Sequence, residues 1–292
     1  MRSRAAIGWL LVLAVTATLL IGGGVWLSNT FKSAFAPGLS FGCTATVGDN
    51  SYSLALDQSE NTALISAIAV QRGMPARAAS IALATALQES KLRNISYGDL
   101  DSVGLFQQRP SQGWGTVAEI MDPVYSTNAF FDALAKVPNY VDLSINDAAQ
   151  IVQRSAFPHA YAQHEPVSRS FASALTGQTP HGLNCTLPPA SGASTADTVL
   201  AAAQLAAGPL DATTSTADAG TTLHLVVSDA KGWMMAHWAL ANAQQFGIVQ
   251  LSYDGWQWDR NANSGVHNVG WQAVQGTVPG QVTLLLAPAP VG

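Results

Sequence analysis

Apolar positions recur at helical intervals through the first half of the chain. In DQSENTALISAIAVQRG, Leu64, Ile65, Ile68 and Ala69 share one face behind Asp57 and Ser59, either of which can cap, and Gly73 ends the segment. PARAASIALATALQESK starts with Pro75, suited to a first helical turn, and carries no charge between Arg77 and Glu89. A helix apolar on all sides must be enclosed by others. DPVYSTNAFFDALAKV places Tyr125, Ala129, Phe130 and Leu134 behind Asp122 and Pro123, and SINDAAQIVQRSAF and PHAYAQHEPVSRSFASAL supply two further helices. Residues 37–185 therefore read as a mainly α domain. Residues 186–220, rich in Pro, Ala, Ser, Thr and Gly, have the composition of a linker, with a short helix at TADTVLAAAQLAAG. Residues 221–292 alternate differently. TTLHLVVSD, GIVQLSYDG and GQVTLLLAP read as strands and AKGWMMAHWALANAQQF as a helix, a small α+β domain.

The first 36 residues follow another pattern. Arg2 and Arg4 precede an uncharged run from Ala5 to Phe31, longer than the about 20 residues that span a bilayer as a helix. This predicts one N-terminal transmembrane helix at the cell membrane, with the arginines inside and the bulk of the chain extracytoplasmic. The alternative is secretion after cleavage at Ala34-Phe35-Ala36, which Pro37 disfavours. In such a compartment the only two cysteines, Cys43 and Cys185, are expected to form a disulfide around the helical domain. With 48% hydrophobic residues, 11% charged residues and a net charge of −5, the chain can build a sizeable core and has no basic stripe for nucleic acid.

The sequence ATALQESKLRN gives this frame its chemistry. Glu89 stands at the C-terminal end of the uncharged helix, where desolvation and the negative end of the helix dipole both disfavour ionisation. A carboxyl that keeps its proton near neutral pH is what protonation of a glycosidic oxygen requires. A glutamate that merely ends an apolar face is the other reading of position alone.

The stretch ESKLRNISYGDLDSVGLFQQRP resembles the lysozyme-like superfamily, in which a Glu-Ser pair precedes a G-L-[MF]-Q turn, and its spacing is similar to that of soluble lytic transglycosylases. The likeness continues through MDPVYSTNAFFDAL and covers most of residues 57–175. It implies Glu89 as the catalytic acid, Ser90 as its supporting hydroxyl, Gly104, Leu105, Phe106 and Gln107 as the cleft-wall turn, and Asn128 as the helix asparagine. The implied substrate is the peptidoglycan strand, cut between N-acetylmuramic acid and N-acetylglucosamine in cell-wall remodelling without metal or cofactor.

The chain also departs from that family. Where the family has a Y-N-A-G-like segment, this sequence reads VQRSAFPHAYAQH, and Tyr161 is the nearest tyrosine, with Gln153 and Arg154 as polar neighbours. The insertion YGDLDS resembles the acidic loop of goose-type lysozymes, in which Asp99 or Asp101 would position a water. A solvated turn beside Gly98 is the competing reading. Trp114 and Tyr125 are candidates for stacking on sugar rings, against core packing, and Gln108 and Arg109 for binding lactyl or peptide groups. AHWALANAQQFGIVQLSYDGWQW faintly resembles the zinc-dependent D-alanyl-D-alanine carboxypeptidase fold. Gln281-Val282-Thr283 stands where that family has its H-x-H, and His224, His237 and His267 are isolated, so no metal is expected. Two function classes follow: a transglycosylase or lysozyme, favoured by the Glu-Ser pair and the turn, and an inactive peptidoglycan-binding scaffold, favoured by the missing Y-N-A-G.

Overall fold

Small side chains, alanine most often, recur along α1 (Leu56–Gln71) and α2 (Ala76–Ser90) and let neighbouring backbones approach closely. The computed structural model describes residues 41–155, 159–190, 192, 194–217, 220–265 and 267–288. Around α1 and α2 are α3 (Val117–Ile120), α4 (Pro123–Leu134), α5 (Ile145–Gln153) and α6 (Glu165–Leu175). Asp122 caps α4, its Oδ1 accepting from Val124 N at 2.8 Å, and Ser144 caps α5, its Oγ accepting from Asp147 N at 3.0 Å. Pro75 is the N-cap of α2, just outside its first turn, and the capping of α1 comes from Gln58, whose Oε1 accepts from Ala55 N at 3.0 Å.

The expectation of a mainly α fold is corrected: the described residues form a mixed α/β structure with two antiparallel sheets and 21% strand. Strands β1 (Gly42–Val47), β2 (Asn50–Leu54) and β3 (Leu183–Thr186) form the first sheet, in the order β2-β1-β3. The strands are short and bury few large side chains, Cys43 and Ala45 pointing inward from β1, so they leave no apolar alternation strong enough to read. Cys43 and Cys185 are partners in the β1–β3 register and form the expected disulfide. Among the described residues no helix is long and apolar enough to cross a membrane. The anchor read from residues 1–36 lies outside the described residues.

The second sheet has six strands in the order β4-β5-β9-β6-β7-β8. They are β4 (Asp211–Ala217), β5 (Gly220–Val226), β6 (Ile248–Tyr253), β7 (Trp256–Asp259), β8 (Gln272–Ala273) and β9 (Gln281–Leu286). The stretch with linker composition holds α7 (Ala196–Ala207) and β4. Helix α8 (Asp229–Ala241) contacts α1 and α6 as well as β6 and β9, and α9 (Ala243–Phe246) follows it. Its residues from Met234 to Ala241 are all buried, which explains why this segment shows no polar face.

Polar bonds also join α8 and the carboxyl-terminal sheet to the rest of Phe41–Gly292, which forms one compact unit. His237 Nδ1 lies 2.7 Å from Ala174 O, and Trp271 Nε1 donates to Leu183 O at 2.8 Å. The buried Arg260 donates to Pro188 O at 2.6 Å, Ala243 O at 2.6 Å and Ile248 O at 3.0 Å. Burial pulls its guanidinium down to about 10.

Candidate functional site

Helix α2 stops one residue after Glu89 and Ser90 turns the corner. Lys91, in the left-handed conformation, sends its N–H back to Leu87 O at 3.1 Å. This termination leaves Glu89 half-buried at the rim while Ser90 is buried beneath it. The Ser90 hydroxyl donates to Leu105 O at 2.7 Å and lies 3.1 Å from Ala86 O, so it ties the helix end to the G-L-F-Q turn.

That turn is a tight reversal closed by a reciprocal pair of 3.0 Å bonds between Val103 and Gln108. Gly104 has φ +81°, and a Cβ there would lie 2.8 Å from Ile120 O, so the position requires glycine for both conformation and space. Leu105 and Phe106 are buried, with the Phe106 ring stacked on Phe130 at 4.6 Å. Gln107 adopts positive φ and its amide donates to Gly104 O at 3.2 Å. The amide of Gln108 is buried and donates to Ser126 O at 3.1 Å.

Among the described residues two side chains reach the Glu89 carboxylate. Tyr161, fully buried and 72 positions away in sequence, donates its hydroxyl to Oε1 at 2.7 Å. Gln153, the last residue of α5, also hydrogen-bonds Glu89 and donates to Phe106 O at 2.8 Å. Tyr161 is held there by its neighbours, since Gln163 and His164 both bond Gln88 Oε1, at 3.2 and 3.0 Å.

Burial raises the Glu89 carboxyl above its ordinary value, and the Tyr161 and Gln153 hydrogen bonds oppose that rise. The Tyr161 hydroxyl is itself pushed up by burial, then by the charge of Glu89 and the bond to it, so it stays a neutral donor. A carboxyl raised by burial and oriented by a neutral hydroxyl donor has the chemistry a general acid and base needs.

The other sequence candidates fall elsewhere. Asp101 is engaged by Arg109, Nε to Oδ1 at 2.7 Å, and by Ser111 N and Oγ at 2.8 and 3.0 Å. Arg109 first, then Ser111, holds its carboxyl well below the usual carboxylate range. Asp99 is exposed, and its carbonyl accepts from Ser102 N at 3.0 Å in the same loop. Asn128 braces two helices: its Oδ1 accepts from Arg72 at 2.9 Å, and Arg72 pairs with Asp132 at 2.5 Å.

Trp114 is half-buried and lines a groove of about 740 Å³ together with Lys136, Pro138, Ile151, Gln153 and Arg154. Gln153 is thus common to the groove and to the Glu89 hydrogen-bond cluster. Tyr125 supports the groove wall from behind, its hydroxyl donating to Trp114 O at 3.2 Å. Gly115 lets it do so, because a Cβ there would fall 2.6 Å from the Tyr125 hydroxyl oxygen. Gln153 enters the sequence reading only as a polar neighbour of Tyr161, and no local motif marks its contact with Glu89.

In the carboxyl-terminal sheet, His224 on β5 faces Thr283 on β9, Nδ1 to Oγ1 at 3.1 Å, and on α8 His237 is buried with its ring pulled down to about 4 by desolvation. Among the described residues no three His, Cys, Asp or Glu side chains are placed to hold a metal ion. No protein family matches the chain, and no curated protein matches it either.

Proposed function

We propose that the helical part of this protein cleaves peptidoglycan strands between N-acetylmuramic acid and N-acetylglucosamine, with Glu89 as general acid and base. The observation that carries this reading is the 2.7 Å bond between Tyr161 and a half-buried Glu89 whose carboxyl burial raises. Resemblance of the Glu-Ser pair and the G-L-F-Q turn to the lysozyme-like superfamily supports it. The groove beside Gln153, with Trp114 in its wall and Lys136 and Arg154 on its rim, suits a sugar chain bearing carboxylates.

Of the two chemistries, the transglycosylase route is favoured by the state of Asp101. A carboxylate already bound to Arg109 and Ser111 is a weak base for activating water, as inverting hydrolysis requires. In the transglycosylase route Glu89 donates its proton to the glycosidic oxygen and the C1–O bond breaks. The primary hydroxyl of the muramic ring then attacks C1 and returns its proton to Glu89, leaving an anhydro ring. The disulfide suits an oxidising, extracytoplasmic compartment, where peptidoglycan lies.

Digestion of purified peptidoglycan with mass analysis of the products tests the proposal, since the anhydro product lacks one water relative to the hydrolytic one. Glu89→Gln should lose about 10²–10⁴-fold in rate while Asp101→Asn keeps most of it. Equal cleavage by wild type and Glu89→Gln would overturn the assignment of the acid. Absence of cleavage together with retention on peptidoglycan would favour the scaffold reading, which the missing Y-N-A-G segment supports.

A further inference from the structure

A groove of about 630 Å³ lies between the β1–β2 hairpin, the start of α2 and the body of α6. Its volume falls within the about 300–1,000 Å³ of small-molecule sites. Its walls include Arg77 and Arg169, the hydroxyls of Ser170 and Ser173, the amide of Asn50 and the half-buried ring of Tyr52. Among the described residues no carboxylate lines it.

The charge on these walls is poorly compensated. Arg77 donates to Leu143 O, its Nε is buried without a hydrogen-bond partner, and among the described residues no carboxylate pairs with it. Among the described residues Arg169 pairs only with Glu165 one turn earlier, at 3.2 Å and with its own side chain 63% exposed, a contact that neutralises little. Two guanidinium groups on a concave wall of low dielectric concentrate positive potential in the groove. The exposed fork of Arg169 matches the paired oxygens of a carboxylate or phosphate, the nearby Arg77 charge adds to the attraction, and hydroxyls and an amide beside an aromatic ring match a polar organic body.

We propose that this groove binds a small organic anion headed by a carboxylate or a phosphate group. The site is separate from Glu89, since none of its lining residues bonds Glu89, Tyr161 or Gln153. It does not depend on the glycan-cleaving reading.

Titration of the isotope-labelled protein with D-glucuronate, inorganic phosphate and neutral glucose, followed through the backbone signals of Asn50, Ser170 and Ser173, tests the site. D-glucuronate, phosphate or both should give saturable shifts at these residues, and glucose none. The anion that saturates identifies the head group. Arg169→Gln, at an exposed position outside the core, should weaken saturation by about tenfold, the loss of one charge-assisted hydrogen bond, and Arg77→Gln should weaken it further. Absence of saturable shifts with both anions, equal shifts with glucose, or undiminished binding in Arg169→Gln would overturn the proposal.

Discussion

Ser90 and Leu105 stand fifteen positions apart and are joined by a 2.7 Å hydrogen bond from the Ser90 hydroxyl to the Leu105 carbonyl. The bond makes the end of α2 and the G-L-F-Q turn one piece, so the orientation of Glu89 depends on a neighbour that never touches it. Ser90→Ala should leave that buried carbonyl without its partner and cost about 1–3 kcal/mol in urea denaturation. If Glu89 is the acid proposed above, glycan release should fall in the same variant at unchanged helix content. A variant as stable as the parent would show that the bond contributes nothing.

Glu89 should weaken the fold at neutral pH. Its folded carboxyl titrates above the ordinary value because of burial, so the folded state binds the proton more tightly than the unfolded chain does. The stabilisation from this is complete below the ordinary carboxylate value and is lost as pH rises through the raised one. Glu89→Gln has no proton to lose, so its stability relative to wild type should grow across that window and stay higher at pH above it. Thermal melts at a series of pH values measure the difference. A gap that does not change with pH would contradict the raised value.

Tyr161→Phe removes a hydrogen bond that lowers the Glu89 carboxyl, so the carboxyl should titrate at higher pH still. If Glu89 acts as the acid, the alkaline limb of the rate profile should move up while the maximal rate falls. A limb that moves down, or stays in place, would remove Tyr161 from this role.

Arg260→Met takes away the donor of three backbone carbonyls and of Gln244 Oε1, which it meets at 2.8 Å. Leaving buried acceptors unpaired should cost about 1–3 kcal/mol for each one that stays dry, as read by chemical denaturation. A loss below about 1 kcal/mol would mean that the carbonyls find other partners.

Reduction of the Cys43–Cys185 bridge should lower stability by about 4–5 kcal/mol in the chain-entropy treatment, since it closes a separation of 142 residues. Labelling of the unfolded, unreduced protein should find neither thiol free. Appreciable labelling at either cysteine would contradict the bridge.

Local signals and long-range contacts differ in how far the sequence carries them. The uncharged run of α2, the Asp122-Pro123 start of α4 and the Gly104 turn are local, and each is legible from spacing and residue type. The strands β1, β2 and β4 are not, because small and hydroxyl-bearing residues such as Thr44, Ser51 and Thr213 leave no apolar period. Side-chain partners are the least legible. The acidic loop shows Asp101 but not that Arg109 and Ser111 occupy it, and the asparagine of α4 shows nothing of Arg72. Tyr161 stands out only as the nearest tyrosine, and its direction toward Glu89 comes from the way residues 161–164 lie along Gln88.

Helix α8 has consequences for how this chain can be cut and inherited. Because α1 and α6 rest on it as closely as the six-stranded sheet does, truncation before Asp229 would strip a wall from the helical half and leave its greasy flank to water. The fragment would precipitate rather than persist as a smaller folded unit. Recombination could therefore exchange the sheet only together with a replacement for that helix, and the two halves should travel as one gene product.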